Sequence, residues 1–73
     1  MPEPEMQYVS SSNVEAVGYD ATARELWVRF TSGDTYVYSG VDEGTHQGLL
    51  SAASIGSYLN RVIKGNYPYQ KVT

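Results

Sequence analysis

Seventy-three residues with a formal net charge of −3 and no cysteine make one small domain, near the lower size at which an apolar core suffices without disulfides, metal or a partner. That size excludes a large enclosed active site, and the missing cysteines exclude disulfides and thiolate metal centres, which fits a reducing, cytoplasmic setting. No run of about eighteen apolar residues exists, so a spanning helix, and with it a membrane partner, is excluded.

The N-terminus carries acidic residues and two prolines where a signal peptide would need positive charge and an apolar run. Residues 1–9 read as a flexible arm, and residues 10–73 as a single domain. Ser10-Ser11-Ser12-Asn13 is turn-forming and leads into residues 14–19, whose valines, alanine and tyrosine suit a first strand. Gly18 within it signals a bulge or close packing. In residues 25–30, Leu26, Val28 and Phe30 alternate with Trp27 and Arg29, the clearest strand pattern in the chain. Thr31-Ser32-Gly33-Asp34 is a hairpin turn into a third strand, residues 35–39.

Asp42 is placed to cap a helix on which His46, Leu49, Leu50 and Ala53 share a face. Gly44 and Gly48 each cost that helix about 1 kcal/mol relative to alanine, so packing must hold it. Ser54 and Gly56 interrupt it, and Ser54-Ile55-Gly56-Ser57 reads as a helix–helix turn. A second helical pattern over residues 57–64 presents Tyr58, Leu59, Val62 and Ile63, with Gly65 as C-cap. Tyr67-Pro68-Tyr69 is extended, because proline disfavours helical geometry in the residue before it. The expected fold is α+β: an antiparallel three-stranded meander, open to a fourth C-terminal edge strand, covered on one face by two short helices. Its expected core is Leu26, Val28, Phe30, Leu49, Leu50, Leu59, Val62 and Ile63.

Catalytic signals are weak. His46 is the one histidine, it falls on the apolar stripe of a helix, and no Gly-x-Ser-x-Gly elbow accompanies the serines. A dedicated zinc site and a phosphate-cradling loop lack their residues. The chain therefore reads as no enzyme, with no metal and no cofactor. Charge is distributed unevenly: all acidic residues lie between Glu3 and Glu43, while Arg61, Lys64 and Lys71 are the only charges from Gly44 onward. Aromatics mixed with cations suit single-stranded RNA, since bases stack on rings and phosphates seek cations. The candidates are Trp27, Arg29, Tyr36 and Tyr38 on the sheet, with Arg61, Lys64, Tyr67, Tyr69 and Lys71 from the C-terminal part.

Hairpin register decides what the first group does. A two-residue loop, Ser32-Gly33, sets Arg29 opposite Tyr36 and Trp27 opposite Tyr38, giving a stacking platform away from the core. A three-residue loop with Gly33 left-handed sets Val28 opposite Tyr36 and Leu26 opposite Tyr38, and the tyrosines join the core face. Both registers are open, with the second favoured because serine suits the tighter turn poorly and a small core needs bulk. The rival to RNA is a protein partner or a second copy on an exposed strand edge or the Trp27 face, in a monomer or weak dimer.

The segments taken together resemble the KTSC domain, a small module found at the C-terminus of some lysyl-tRNA synthetases and as stand-alone bacterial proteins. The residues that carry the resemblance are Ser11-Ser12-Asn13-Val14, Gly18-Tyr19-Asp20, Leu26, Val28, Phe30, Gly33, Tyr36-Val37-Tyr38, Gly40-Val41, Leu49, Ala53-Ser54, Gly56, Asn60, Ile63 and Tyr67-Pro68-Tyr69. Asp42 stands where the pattern expects proline, and His46 where it expects an aromatic. The resemblance implies a translation-related setting and RNA binding, by context alone.

Overall fold

A computed structural model describes residues 3–72. Its sheet has five antiparallel strands in sequence order: β1 (Met6–Tyr8), β2 (Val14–Asp20), β3 (Glu25–Phe30), β4 (Thr35–Ser39) and β5 (Tyr69–Lys71). Between β4 and β5 come α1 (Glu43–Ser51) and α2 (Ile55–Tyr58), which runs straight into a π-helical turn, Leu59–Ile63. The protein is α+β, and its three central strands are the expected meander. The sheet has five strands: β5 is the fourth, C-terminal edge strand the sequence left open, and β1 is the strand it did not anticipate. Residues 6–8, expected to belong to a flexible arm, pair with β2, Gln7 lying opposite Val17. The segment after Pro68 pairs with β4, Gln70 lying opposite Val37. Both added strands are three residues long, too short to show alternation, and they leave only short edges exposed.

The β3–β4 connection takes the longer form. Gly33 has φ of 99°, its N–H donates to the Phe30 carbonyl at 2.9 Å, and the Phe30 N–H donates to the Asp34 carbonyl at 2.8 Å. Leu26 then faces Tyr38 and Val28 faces Tyr36. Because side chains alternate across a strand, this register puts both tyrosines on the face of Leu26, Val28 and Phe30.

The helices cover that face. Asp42 caps α1 by accepting from the Thr45 N–H at 2.7 Å, and hydrogen bonds from the Thr45 side chain and backbone hold its carboxyl below the usual carboxylate range. Ser54 caps α2 through the Ser57 N–H at 3.3 Å, so this helix starts two residues before the expected position and Ser54 is its cap. The π turn closes with the Lys64 N–H on the Leu59 carbonyl, 2.8 Å. Gly65 then reverses the chain at φ 85°, and Asn66 Nδ2 donates to the Val62 carbonyl at 2.9 Å. Leu26, Val28, Leu49, Leu59 and Ile63 are buried as expected, joined by Val14, Val17, Tyr38, Val41 and Ile55. Phe30, Leu50 and Val62 pack at the margin of this core, half-buried.

On the other face of the sheet, Trp27 sits between Gly18 and Val37 in register. The N-terminal segment lies over this face: a Cβ at Gly18 would come within 2.5 Å of Met6 Sδ and 3.1 Å of Pro4 Cγ. Gly18 thus marks close packing, while the bulge falls three residues earlier, at Glu15 between Val14 and Ala16. Among the described residues, no helix is long and apolar enough to cross a membrane.

Candidate functional site

An open cleft of about 670 Å³ lies between the tip of the β3–β4 hairpin and the α2–π segment. Buried Val14, Tyr38 and Leu59 form its apolar floor. One wall is aromatic, and strand order builds it: Phe30, Tyr36 and Tyr69 come from three adjacent strands, β3, β4 and β5. The Phe30 and Tyr36 rings meet edge to face at 5.6 Å, and Tyr36 and Tyr69 lie 5.6 Å apart with a tilt of 51°. Tyr69 is 64% exposed, so most of its ring is free to accept a planar partner. Lys64, the first residue after the π turn, places Nζ 5.1 Å from the centre of the Phe30 ring.

The facing wall is polar. Gly56 and Asn60 stand four residues apart on the α2–π segment, and Asn13 Nδ2 lies 3.7 Å from where a Gly56 Cβ would be. Among the described residues the carboxamides of Asn13 and Asn60 make no hydrogen bond within the chain. At the rim, Lys71 Nζ pairs with Asp34 at 3.5 Å, both half-exposed. The Tyr38 hydroxyl is held neutral to higher pH than usual, first by burial and then by the neighbouring Tyr36 and Tyr69.

The structure therefore gathers part of the predicted set and disperses the rest. Tyr36, Tyr69 and Lys64 line the cleft, and Lys71 stands at its edge opposite Tyr36. Tyr38 is 2% exposed, a floor residue that offers no ring face. Trp27 and Arg29 lie on the opposite face of the sheet, so the four-residue stacking platform does not form. Trp27 is 7% exposed, and Arg29 is held by both oxygens of Glu3, at 3.0 and 2.8 Å, with Glu15 at 3.9 Å. Tyr67 packs half-buried against the core. Arg61 is exposed but does not line the cleft. Lys64, just beyond the π turn, has extended backbone and does line it. Phe30, Asn13 and Asn60 were missed as site residues; all three belong to the residues that carry the family resemblance, which was the available signal.

His46 lies elsewhere, stacked on Tyr19 with ring centres 4.8 Å apart and planes 13° from parallel. Burial lowers its pKa from the ordinary imidazole value, against a smaller opposing pull from Glu43. Tyr19 in turn donates its hydroxyl to the Val41 carbonyl at 2.6 Å, locking the pair in place.

The family model for the KTSC domain matches residues 10–67. An uncharacterized protein of Stutzerimonas stutzeri is 37% identical over 65 residues, covering 88% of this chain and 92% of that protein. A protein of Tsukamurella paurometabola is 42% identical over 62 residues, covering 85% and 92%. A lysine–tRNA ligase of Nostoc sp. is 32% identical over 62 residues, which are 85% of this chain but 11% of the ligase. The crystal structure of a KTSC domain protein from Yersinia pestis superposes with a TM-score of 0.92 at 40% identity, covering 94% of this chain and 97% of that one.

Proposed function

The chain belongs to the KTSC domain family, and from that premise we propose that it is a non-catalytic, cytoplasmic module that binds single-stranded RNA in the cleft. The observation that carries this reading is the aromatic row ending in exposed Tyr69, with Lys64 seated at its other end on Phe30. A base stacked on an aromatic is worth roughly 1–3 kcal/mol, and a flanking cation supplies backbone attraction. Lys71 and Arg61 extend that attraction along the same C-terminal part of the chain. The matched segment of the lysine–tRNA ligases adds context, and the placement of the one histidine against Tyr19, away from the cleft, favours binding over catalysis.

Fluorescence anisotropy with a labelled single-stranded RNA at two salt concentrations tests the proposal. A site with one or two phosphate contacts gives a log–log salt slope between about −0.7 and about −1.4. Lys64→Glu and Tyr69→Ala each abolish most of the binding, whereas Trp27→Phe leaves it unchanged. The rival reading, strand addition by a protein partner, is favoured by the exposed edge of β5. It predicts no RNA binding at low salt and binding of a protein segment that a proline in β5 removes.

A further inference from the structure

We infer that Asp34 is a built-in competitor for the RNA backbone, its carboxylate holding Lys71 in the place a phosphate would take and so limiting the affinity of the cleft; this inference rests on the RNA-binding reading above. Among the residues that line the cleft, Lys64 is the one cation and Asp34 the one anion. A carboxylate at the mouth of a site for a polyanion opposes its ligand. Lys71 is the register partner of Tyr36, which puts its side chain on the cleft face of the sheet. Its ammonium is already engaged, with Nζ 3.5 Å from Asp34 Oδ1.

The fold does not need that carboxylate. The hairpin closes through backbone alone: Gly33 is left-handed, its N–H donates to the Phe30 carbonyl, and the Phe30 N–H donates to the Asp34 carbonyl. Among the described residues, the Asp34 side chain meets Lys71 and no other charged or hydrogen-bonding group. The same backbone bonds anchor Asp34 at the rim, so a phosphate that reaches Lys71 meets a negative charge beside it. Openness sets the size of the effect. The Lys71 and Asp34 side chains are 50% and 44% exposed, and an ion pair this open shifts an equilibrium by no more than about fivefold. Asp34 therefore weakens the engagement of Lys71 without closing the cleft. Tyr69 and Lys71, two residues apart on β5, share the cleft face, so a nucleotide stacked on Tyr69 is the one whose phosphate contends with Asp34.

The test is anisotropy with a labelled single-stranded uridine tract over a range of salt. Asp34→Asn keeps the shape of the side chain and binds about three- to fivefold tighter at low salt. Its log–log salt slope steepens from about −0.7 to about −1.4, because Lys71 joins Lys64 as a phosphate contact. Lys71→Met alone leaves the parent slope unchanged, and Asp34→Asn combined with Lys71→Met returns both affinity and slope to the parent values. Glu5→Gln makes the same change in net charge at an exposed position outside the cleft and leaves binding unaltered. An Asp34→Asn variant that binds no tighter, a gain that survives loss of Lys71, or an equal gain from Glu5→Gln overturns the competition and leaves RNA binding standing. No binding at low salt by the parent protein or by Asp34→Asn overturns both.

Discussion

Two glycines in one helix answer alanine substitution with opposite signs. At Gly48 a Cβ would stand 2.5 Å from Tyr58 Oη and 3.2 Å from Tyr58 Cζ. Tyr58 crosses from α2 onto α1 there, its hydroxyl reaching the Thr45 carbonyl at 3.4 Å. Alanine gains about 1 kcal/mol of helix propensity but displaces the ring, and overpacking of this kind costs roughly 1–3 kcal/mol. Gly48→Ala is therefore destabilising by about 1 kcal/mol net. At Gly44 the nearest atom to a new Cβ is Asp42 Oδ1 at 3.7 Å, an ordinary contact. Gly44→Ala keeps the propensity gain, reduced to about half because the site lies in the first turn. Urea unfolding followed by circular dichroism reads both. With a slope of about 1 kcal/mol/M for a chain this small, the two midpoints separate by more than about 1 M, one on each side of the parent protein. A Gly48→Ala midpoint at or above the parent's refutes the seating of Tyr58 on α1.

Three further outcomes follow from burial. His46 has a lowered folded pKa, so the unfolded chain binds the extra proton first: stability present above about pH 6.5 is lost as pH falls through the folded value. His46→Phe, which keeps a ring on Tyr19, removes that part of the acid slope in urea midpoints taken on either side of this window. Tyr38 has a raised folded pKa, so its contribution is intact below about pH 10 and lost as pH climbs through the folded value. Tyr38→Phe flattens the alkaline limb selectively, as read by thermal melts, and Tyr36→Phe does so less. Trp27, the chain's single tryptophan, emits to the blue and resists acrylamide quenching, and deletion of residues 1–8 shifts its emission to the red; emission already at the wavelength of free tryptophan in the full chain contradicts the placement of the N-terminal segment over Gly18.

Much of the fold was legible because strong local patterns agreed with the tertiary result. Leu26, Val28 and Phe30 alternate without interruption, and Gly33 sits where a left-handed residue closes a three-residue turn, so the register that puts Tyr36 and Tyr38 on the core face could be favoured before any coordinates. What was missed has physical causes. A three-residue strand such as β1 shows no period, and its existence depends on the backbone partner contributed by β2. The segment that lies over Gly18, the register partner of Trp27, reads as polar and proline-rich. At the site, Tyr69 and Lys64 were identified from residue type, but the seating of Lys64 on Phe30 follows a π turn that spacing at 3.6 residues does not anticipate. The amide wall needed Asn13 and Asn60 to be brought together across the sheet, a long-range event with no local signature. Its only trace was that both belong to the pattern resembling the family.

An amide NMR titration of the labelled protein with short single-stranded RNA, at low and at higher salt, tests the central claim most directly. The account predicts salt-sensitive shifts clustered at Asn13, Phe30, Tyr36, Asn60, Lys64 and Tyr69, with Trp27 and His46 unmoved. Absence of shifts at low salt with excess RNA, or shifts confined to the β1 face, contradicts it.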